Sequence, residues 1–248
     1  MDKLIIEKKP RSPISEAYRT VRTNVEFSSI DDDVRRILIT SSGPGEGKST
    51  TAANLAVAFA QAGKKTLLID GDLRKPTVFK LFNVSNRVGL SNVIVDGVKI
   101  FDPKSVEVDG LGLSDIIRPY NDKLDILTSG TIPPNPSEIL GSKKMRVFMD
   151  MLSSKYDMVI VDAPPVNAVT DAQLLSTMVD GVLFVVASEI THMDGARRAK
   201  DLLQQVNAKI LGVVLTRLKM GKNKYGYNGY YSYYSNEANK GKKSKRNK

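Results

Sequence analysis

The 248 residues carry 37 Lys and Arg against 27 Asp and Glu, a net charge of +10, with one His and no Cys or Trp. That length suits one large α/β domain or at most two small ones, and 41% apolar content excludes a wholly disordered chain. The missing cysteines exclude a disulfide framework, a thiolate zinc site and a cysteine nucleophile, which makes a reducing cytoplasm the expected compartment. No apolar run is long enough to span a bilayer, and the polar start MDKLIIEKKPRS does not read as a signal peptide.

In chain order, Ser12-Pro13 opens a helix whose Ile14, Ala17, Tyr18, Val21 and Val25 share one face. A strand is expected at 36–40, then a Gly-rich turn and a helix over 48–61 closed by Gly63. Further strands are expected at 66–70, 124–127, 158–162, 182–187 and 210–215, with helices over 136–154, 171–178 and 193–206. The stretch 76–123 is irregular and reads as mixed helix and loop. Apolar strands alternating with helices predict an α/β fold, a mostly parallel sheet with helices on both faces.

The charge is unevenly placed. Residues 219–248 hold nine Lys/Arg against Glu237 alone, a net of +8, so the first 218 residues are left with +2. The same segment holds six of the nine tyrosines within ten residues: Tyr225, Tyr227, Tyr230, Tyr231, Tyr233 and Tyr234. No aliphatic side chain larger than Ala follows Met220, so a disordered basic tail (219–248) is expected after a globular domain (1–218). The closing GKKSKRNK reads as a solvated tail, with acidic lipid as a secondary contact.

The strand RRILIT runs into SSGPGEGKST and then a helix, which is the context a phosphate-binding P-loop requires. Glycines at 43, 45 and 47 allow a tight turn that aims backbone N–H groups at phosphate oxygens, aided by the helix N-terminus. Gly43, Pro44, Gly45, Glu46, Gly47, Lys48, Ser49 and Thr50 are the expected ATP contacts, with Lys48 on the β/γ-phosphates and Ser49 on Mg²⁺. Ser42 stands where the strict pattern has Gly. The bland alternative is a glycine-rich turn with a chance lysine; the flanking strand and helix argue against it. Met158–Asp162 is an apolar strand ending in a carboxylate, and Thr66–Asp70 is another, followed by Gly71 and Asp72. A solvated strand end explains such a pair in isolation. Beside a P-loop, Asp70, Asp72 and Asp162 read instead as a metal and proton-transfer cluster.

SSGPGEGKST, LLIDGDLRKP and VIVDAPP resemble the Walker A, A′ and B motifs of the bacterial tyrosine kinases of capsular and exopolysaccharide assembly, a P-loop NTPase family. The resemblance extends to SGTIPPNPSEIL, to Glu16, Arg19 and Arg22 as E-x-x-R-x-x-R, and to the terminal tyrosines. It implies ATP-dependent phosphorylation of those tyrosines. Lys48 would stabilise the transferring phosphoryl group, Ser49, Asp72 and Asp162 would hold Mg²⁺, and Asp70 would accept the tyrosine proton. It also implies that Glu16, Arg19 and Arg22, in the N-terminal region 1–33, pack subunits into a ring, which favours phosphorylation in trans. On the residues alone they are a solvated helix face with one Glu–Arg pair. The implied partners are further copies of the chain, a separate transmembrane adaptor of the polysaccharide co-polymerase type, a cognate tyrosine phosphatase and exogenous protein substrates. The implied location is the cytoplasmic face of the membrane.

Arg217, after the last strand, is a candidate border of the adenine pocket by position, and His192 reads as structural or surface. Two rivals remain on the residues. A deviant-Walker partition ATPase would carry a lysine where this chain has Gly43, and has no use for clustered tyrosines. A nucleic-acid binder would interleave Tyr with Lys, whereas here they form separate blocks, so no specific nucleic acid is expected. Phosphorylating all six tyrosines would add roughly −9 to −12, reversing the tail's charge. Sedimentation after ATP/Mg²⁺ treatment is expected to show a loosened oligomer; full phosphorylation with unchanged sedimentation would sink that expectation.

Overall fold

Runs of branched apolar residues become the strands of one sheet, and the glycine-, serine- and proline-bearing stretches between them become its turns and caps. The computed structural model describes residues 4–28, 33–95, 107–108 and 111–218. The six clustered tyrosines and the basic end lie outside the described residues. The main compact unit ends at Thr216.

A helical turn α1 (Ile5–Lys8) precedes α2 (Pro13–Glu26), then β1 (Arg36–Ser41), α3 (Lys48–Gln61) and β2 (Thr66–Asp70). There follow α4 (Val78–Phe82), α5 (Leu90–Val95), β3 (Glu107–Val108), β4 (Leu111–Gly112), α6 (Leu113–Ile116), β5 (Arg118–Asn121) and β6 (Leu124–Leu127). The chain closes with α7 (Pro136–Leu140), α8 (Lys143–Lys155), β7 (Met158–Asp162), α9 (Asp171–Ser176), β8 (Gly181–Ala187), α10 (Met193–Gln205) and β9 (Ile210–Thr216). The main sheet runs β5-β6-β2-β7-β1-β8-β9, and β3 pairs with β4 separately. All its neighbours are parallel except β5, which runs antiparallel beside β6 at one edge.

Helix α3 organises one face. Every residue from Thr51 to Ala60 is buried, five of them alanines, so the helix lies close to β1, β2 and β7 while α1 and α2 cover its other side. Ser12 caps α2, its Oγ accepting from Ser15 N at 3.2 Å, with Pro13 at the first helical position. On the opposite face Phe148, Met149 and Leu152 of α8 join Leu175 of α9 and Leu203 of α10 over Leu67, Ile69, Val159 and Val161.

Two expectations need correction. The single helix over 136–154 is two, because Gly141 ends α7 and Ser142 starts α8 by accepting from Met145 N at 3.1 Å. The stretch 76–123 holds three strands as well as helix and loop. β5 is polar RPYN, with no apolar signal, and tolerates Pro119 because it is an edge strand. Helices lie on both faces of the sheet as expected, with an apolar core under each; on the edge strand β9, Val213 and Leu215 are 64% and 50% exposed. Among the described residues no helix is long and apolar enough to cross a membrane.

The loop after β6 is held by α5. Leu90 N donates to Thr128 O at 2.8 Å, Ser91 N to Ser129 O at 2.9 Å, and Ser91 Oγ to Thr131 O at 2.6 Å. Gly89 makes this approach possible, since a Cβ there would lie 2.2 Å from Thr128 O and 2.4 Å from Gly130 N. These are backbone atoms and cannot swing aside. Gly89→Ala is expected to destabilise the chain by about 3 kcal/mol or more, read as a fall in Tm; an unchanged Tm would refute the close approach.

Candidate active site

β1 ends at Ser41, and the chain turns through Ser42–Gly47 into α3. Gly45 and Gly47 have φ of 78° and 98°, values open to glycine and strained for other residues. Gly47 is the N-cap of α3, with no side-chain cap over the helix start. The positive end of a 14-residue helix therefore faces the loop, as an anion site requires. Ser42 departs from the strict pattern without strain. Its N–H and hydroxyl donate to the Glu46 carboxylate at 2.9 and 2.7 Å, closing the loop across its own mouth.

Parallel pairing places Asp70 of β2 directly beside Asp162 of β7, at the carboxyl ends of adjacent strands. Both are fully buried and Asp72 is 4% exposed. Asp70 Oδ2 accepts from Thr77 N at 3.0 Å and Val78 N at 2.9 Å. Asp72 accepts from Lys75 N at 2.9 Å through Oδ1 and from Lys48 Nζ at 3.2 Å through Oδ2. Both Asp162 oxygens are buried without a hydrogen-bond partner. Burial, then the charge of Asp162, push Asp70 up to about 7 against the pull of the Thr77 and Val78 amides. Burial also pushes Asp162 up to about 6, although the Lys48 charge and the nearby Ser49 hydroxyl, which lies outside hydrogen-bond geometry, hold it down. Burial disfavours the charge on Lys48, but Asp162, Asp72 and Asp70 outweigh that and leave its pKa raised.

Among the described residues no three Asp, Glu or His side chains are arranged to hold a metal by themselves. The Asp70–Asp72–Asp162 group is thus not a self-sufficient metal cluster. A hard divalent cation still fits, because the unpartnered Asp162 oxygens near Ser49 are hard donors that a triphosphate would complete. Lys48, Ser49, Asp70, Asp72 and Asp162 come together as the motifs suggested; the Glu46 side chain does not join them and turns into the protein, 3% exposed.

One cluster escapes the sequence. Arg74 binds buried Asp171 in bidentate fashion, Nε to Oδ2 at 2.9 Å and Nη2 to Oδ1 at 3.1 Å, and also donates to Ser137 Oγ at 2.9 Å. Ser137 Oγ in turn donates to Asp171 Oδ1 at 2.7 Å. The loop after β2, the PPNPSE stretch and the start of α9 are thereby locked around one carboxylate. No local spacing could have linked residues so far apart.

On α2, Glu16 and Arg19 form an ion pair, and Arg19 also donates to Pro10 O at 2.9 Å. Arg22 turns inward instead: its Nη1 donates to Ala58 O at 3.3 Å near the end of α3. His192 is exposed at the N-cap of α10 and makes no side-chain cap. Arg217 directly follows β9, with φ of 57°.

A mostly parallel sheet in which an interior strand feeds a glycine loop and an uncapped helix, with acidic ends on nearby strands, defines a P-loop NTPase. The family described as NUBPL iron-transfer P-loop NTPase, of the ParA type, matches residues 33–224. Tyrosine-protein kinase YwqD of Bacillus subtilis is 48% identical over 88% of this chain and 87% of its own length. The putative tyrosine-protein kinase CapB of Staphylococcus aureus is 39% identical over 90% and 93%. The crystal structure of the chimerical protein CapA2B2 superposes with a TM-score of 0.79 at 45% identity, covering 88% of this chain and 91% of that one. The chain belongs to the ParA-type P-loop NTPases and, within them, to the bacterial tyrosine kinases.

Because Asp70 and Asp162 titrate above their unfolded values, these two groups hold more protons in the folded chain than in the unfolded one between about pH 4 and 7. Their contribution to the stability of the nucleotide-free protein is therefore full at the acid end of that window and is lost as the pH rises through it. Asp162→Asn is expected to raise Tm by about 2–4 °C near pH 7.5, with a smaller difference from the wild type at about pH 4. Thermal denaturation of both proteins across pH checks this; a Tm difference that does not grow as the pH rises would refute it.

Proposed function

We propose that this chain is an ATP-dependent tyrosine autokinase acting on its own Tyr225, Tyr227, Tyr230, Tyr231, Tyr233 and Tyr234, in trans within a homo-oligomer. The observation that carries the reading is the pairing, in one chain, of a phosphate loop with buried acidic strand ends and six tyrosines set within ten residues. Relatives named as tyrosine-protein kinases support the same chemistry. The iron-transfer activity in the family's description does not carry over, since these 248 residues contain no cysteine to ligate an iron–sulfur cluster.

In this reading Lys48 and the amides of the loop from Gly43 to Thr50 grip the β- and γ-phosphates. Ser49, Asp72 and Asp162 would hold Mg²⁺, which would neutralise charge on the phosphates. The tyrosine oxygen bonds to the γ-phosphorus as the bond to ADP breaks. Asp70 aligns the phenol and takes its proton late in that transfer. The amides of Thr77 and Val78 fix the Asp70 carboxylate in place for that role. Glu16 is exposed, but Arg19, held by Glu16 and Pro10 O, and Arg22, held by Ala58 O, would first have to leave these partners to contact another copy.

By family, the process served is capsular or extracellular polysaccharide synthesis and export. The proposed partners are a transmembrane adaptor that recruits the chain to the inner face of the membrane, a cognate phosphatase and exogenous protein substrates. Incubation with ATP and Mg²⁺ followed by phosphosite mapping is expected to find phosphotyrosine within 225–234. Lys48→Met should lower it by at least about 10²-fold, and replacing all six tyrosines with Phe should abolish it while sparing ATP hydrolysis. Hydrolysis without phosphotyrosine, in the presence of an activating adaptor fragment, would overturn the proposal.

A further inference from the structure

Glu46 sits between the two left-handed glycines of the phosphate loop, where the backbone is freest to wander. Its carboxylate nevertheless has three donors. Oε2 accepts from Ser42 N at 2.9 Å, while Oε1 accepts from Ser42 Oγ and Thr191 Oγ1, each at 2.7 Å. Thr191 is itself fixed, its hydroxyl accepting from Ala187 N at 2.9 Å. The Glu46 carbonyl is held as well, accepting from Thr216 Oγ1 at 2.7 Å, and the Thr216 side chain lies 3.5 Å from where a Cβ on Gly47 would sit. Thus the end of β1, the loop between β8 and α10, and the last residue of β9 converge on one loop residue.

We propose that Glu46 is a positioning residue for the nucleotide. Tied to Ser42, Thr191 and Thr216, it holds the loop amides in their phosphate-binding arrangement before nucleotide arrives. The β8–α10 loop and the end of β9 thereby set the affinity for phosphates. An unanchored loop bearing two such glycines would have to be ordered at the moment of binding, and that ordering would subtract from affinity. The inference rests on nucleotide binding by this loop and does not depend on tyrosine as the acceptor.

The test is titration of the full chain with methylanthraniloyl-ADP and Mg²⁺, with Tm measured on each variant. Glu46→Ala is expected to weaken binding about tenfold. Glu46→Gln should regain most of that loss, because its NH₂ donates to the Ser42 and Thr191 hydroxyls while its carbonyl accepts from Ser42 N. Thr191→Val should lose part of the affinity and add little to Glu46→Ala, since both remove the same tie. Wild-type affinity in Glu46→Ala would overturn the proposal. So would losses that follow Tm alone across all variants, without recovery in Glu46→Gln. Binding is read without phosphoryl transfer, so absence of tyrosine phosphorylation bears on the kinase proposal alone.

Discussion

The structure depends on holding two carboxylates side by side out of water. Parallel register puts Asp70 opposite Asp162 at adjacent strand ends, and both are fully buried. Burying such charges is costly unless they are neutralised or compensated. The compensation is uneven: three amides donate to Asp70, whereas Asp162 has the Lys48 charge nearby and two oxygens with no hydrogen-bond partner. Around this deficit the motifs take their places. Lys48 reaches in from the start of α3, Asp72 bends back on a turn to receive it, and the helix start stays uncapped. The site is built to be finished by a charged ligand.

Stability and function pull in opposite directions at that point. The rest of the molecule offsets the strain with an ordinary apolar core on both faces of the sheet, in which α3 is nearly all Ala, Leu, Val and Phe along its buried length. The same helix therefore does two jobs. Its small side chains let it pack against β1, β2 and β7, and that packing aims its N-terminus at the acidic strand ends. A bulky substitution at Ala52 or Ala56, both fully buried, would act on the site by moving the helix.

What the sequence revealed follows from the range of the interactions. β2, β6 and β7 and helix α3 match their expected spans because buried parallel strands are continuous apolar runs, and α3 is bracketed by glycines at 47 and 63. The phosphate loop and its acidic partners were legible for the same reason: each is a local pattern at the end of a strand. β5 was not, since an edge strand with four polar or proline-bearing positions owes its existence to β6 rather than to its own pattern. Arg74, Ser137 and Asp171 meet only after the chain has folded, and beyond its local tie to Ser42 Glu46 is held by Thr191 at its carboxylate and Thr216 at its carbonyl, each more than a hundred residues away.

Those long-range ties share a logic. In a parallel sheet every loop at the carboxyl edge comes from a different crossover, so nothing in chain connectivity keeps these loops in mutual register. Apolar packing fixes strands and helices but ends at the sheet edge, where the backbone is polar and irregular. Directional bonds must take over there. Asp171 gathers the loop after β2 and the PPNPSE stretch, while Glu46 gathers the loops after β1 and β8 and the end of β9. Two buried acidic residues near the strand-end aspartates thus act as hubs, accepting N–H and O–H donors from segments distant in the chain. Carboxylates suit that work because each offers two oxygens with several acceptor positions. The charge of Asp171 is also matched by the Arg74 fork. The phosphate loop is consequently less a local motif than the place where three separate parts of the fold are made to agree.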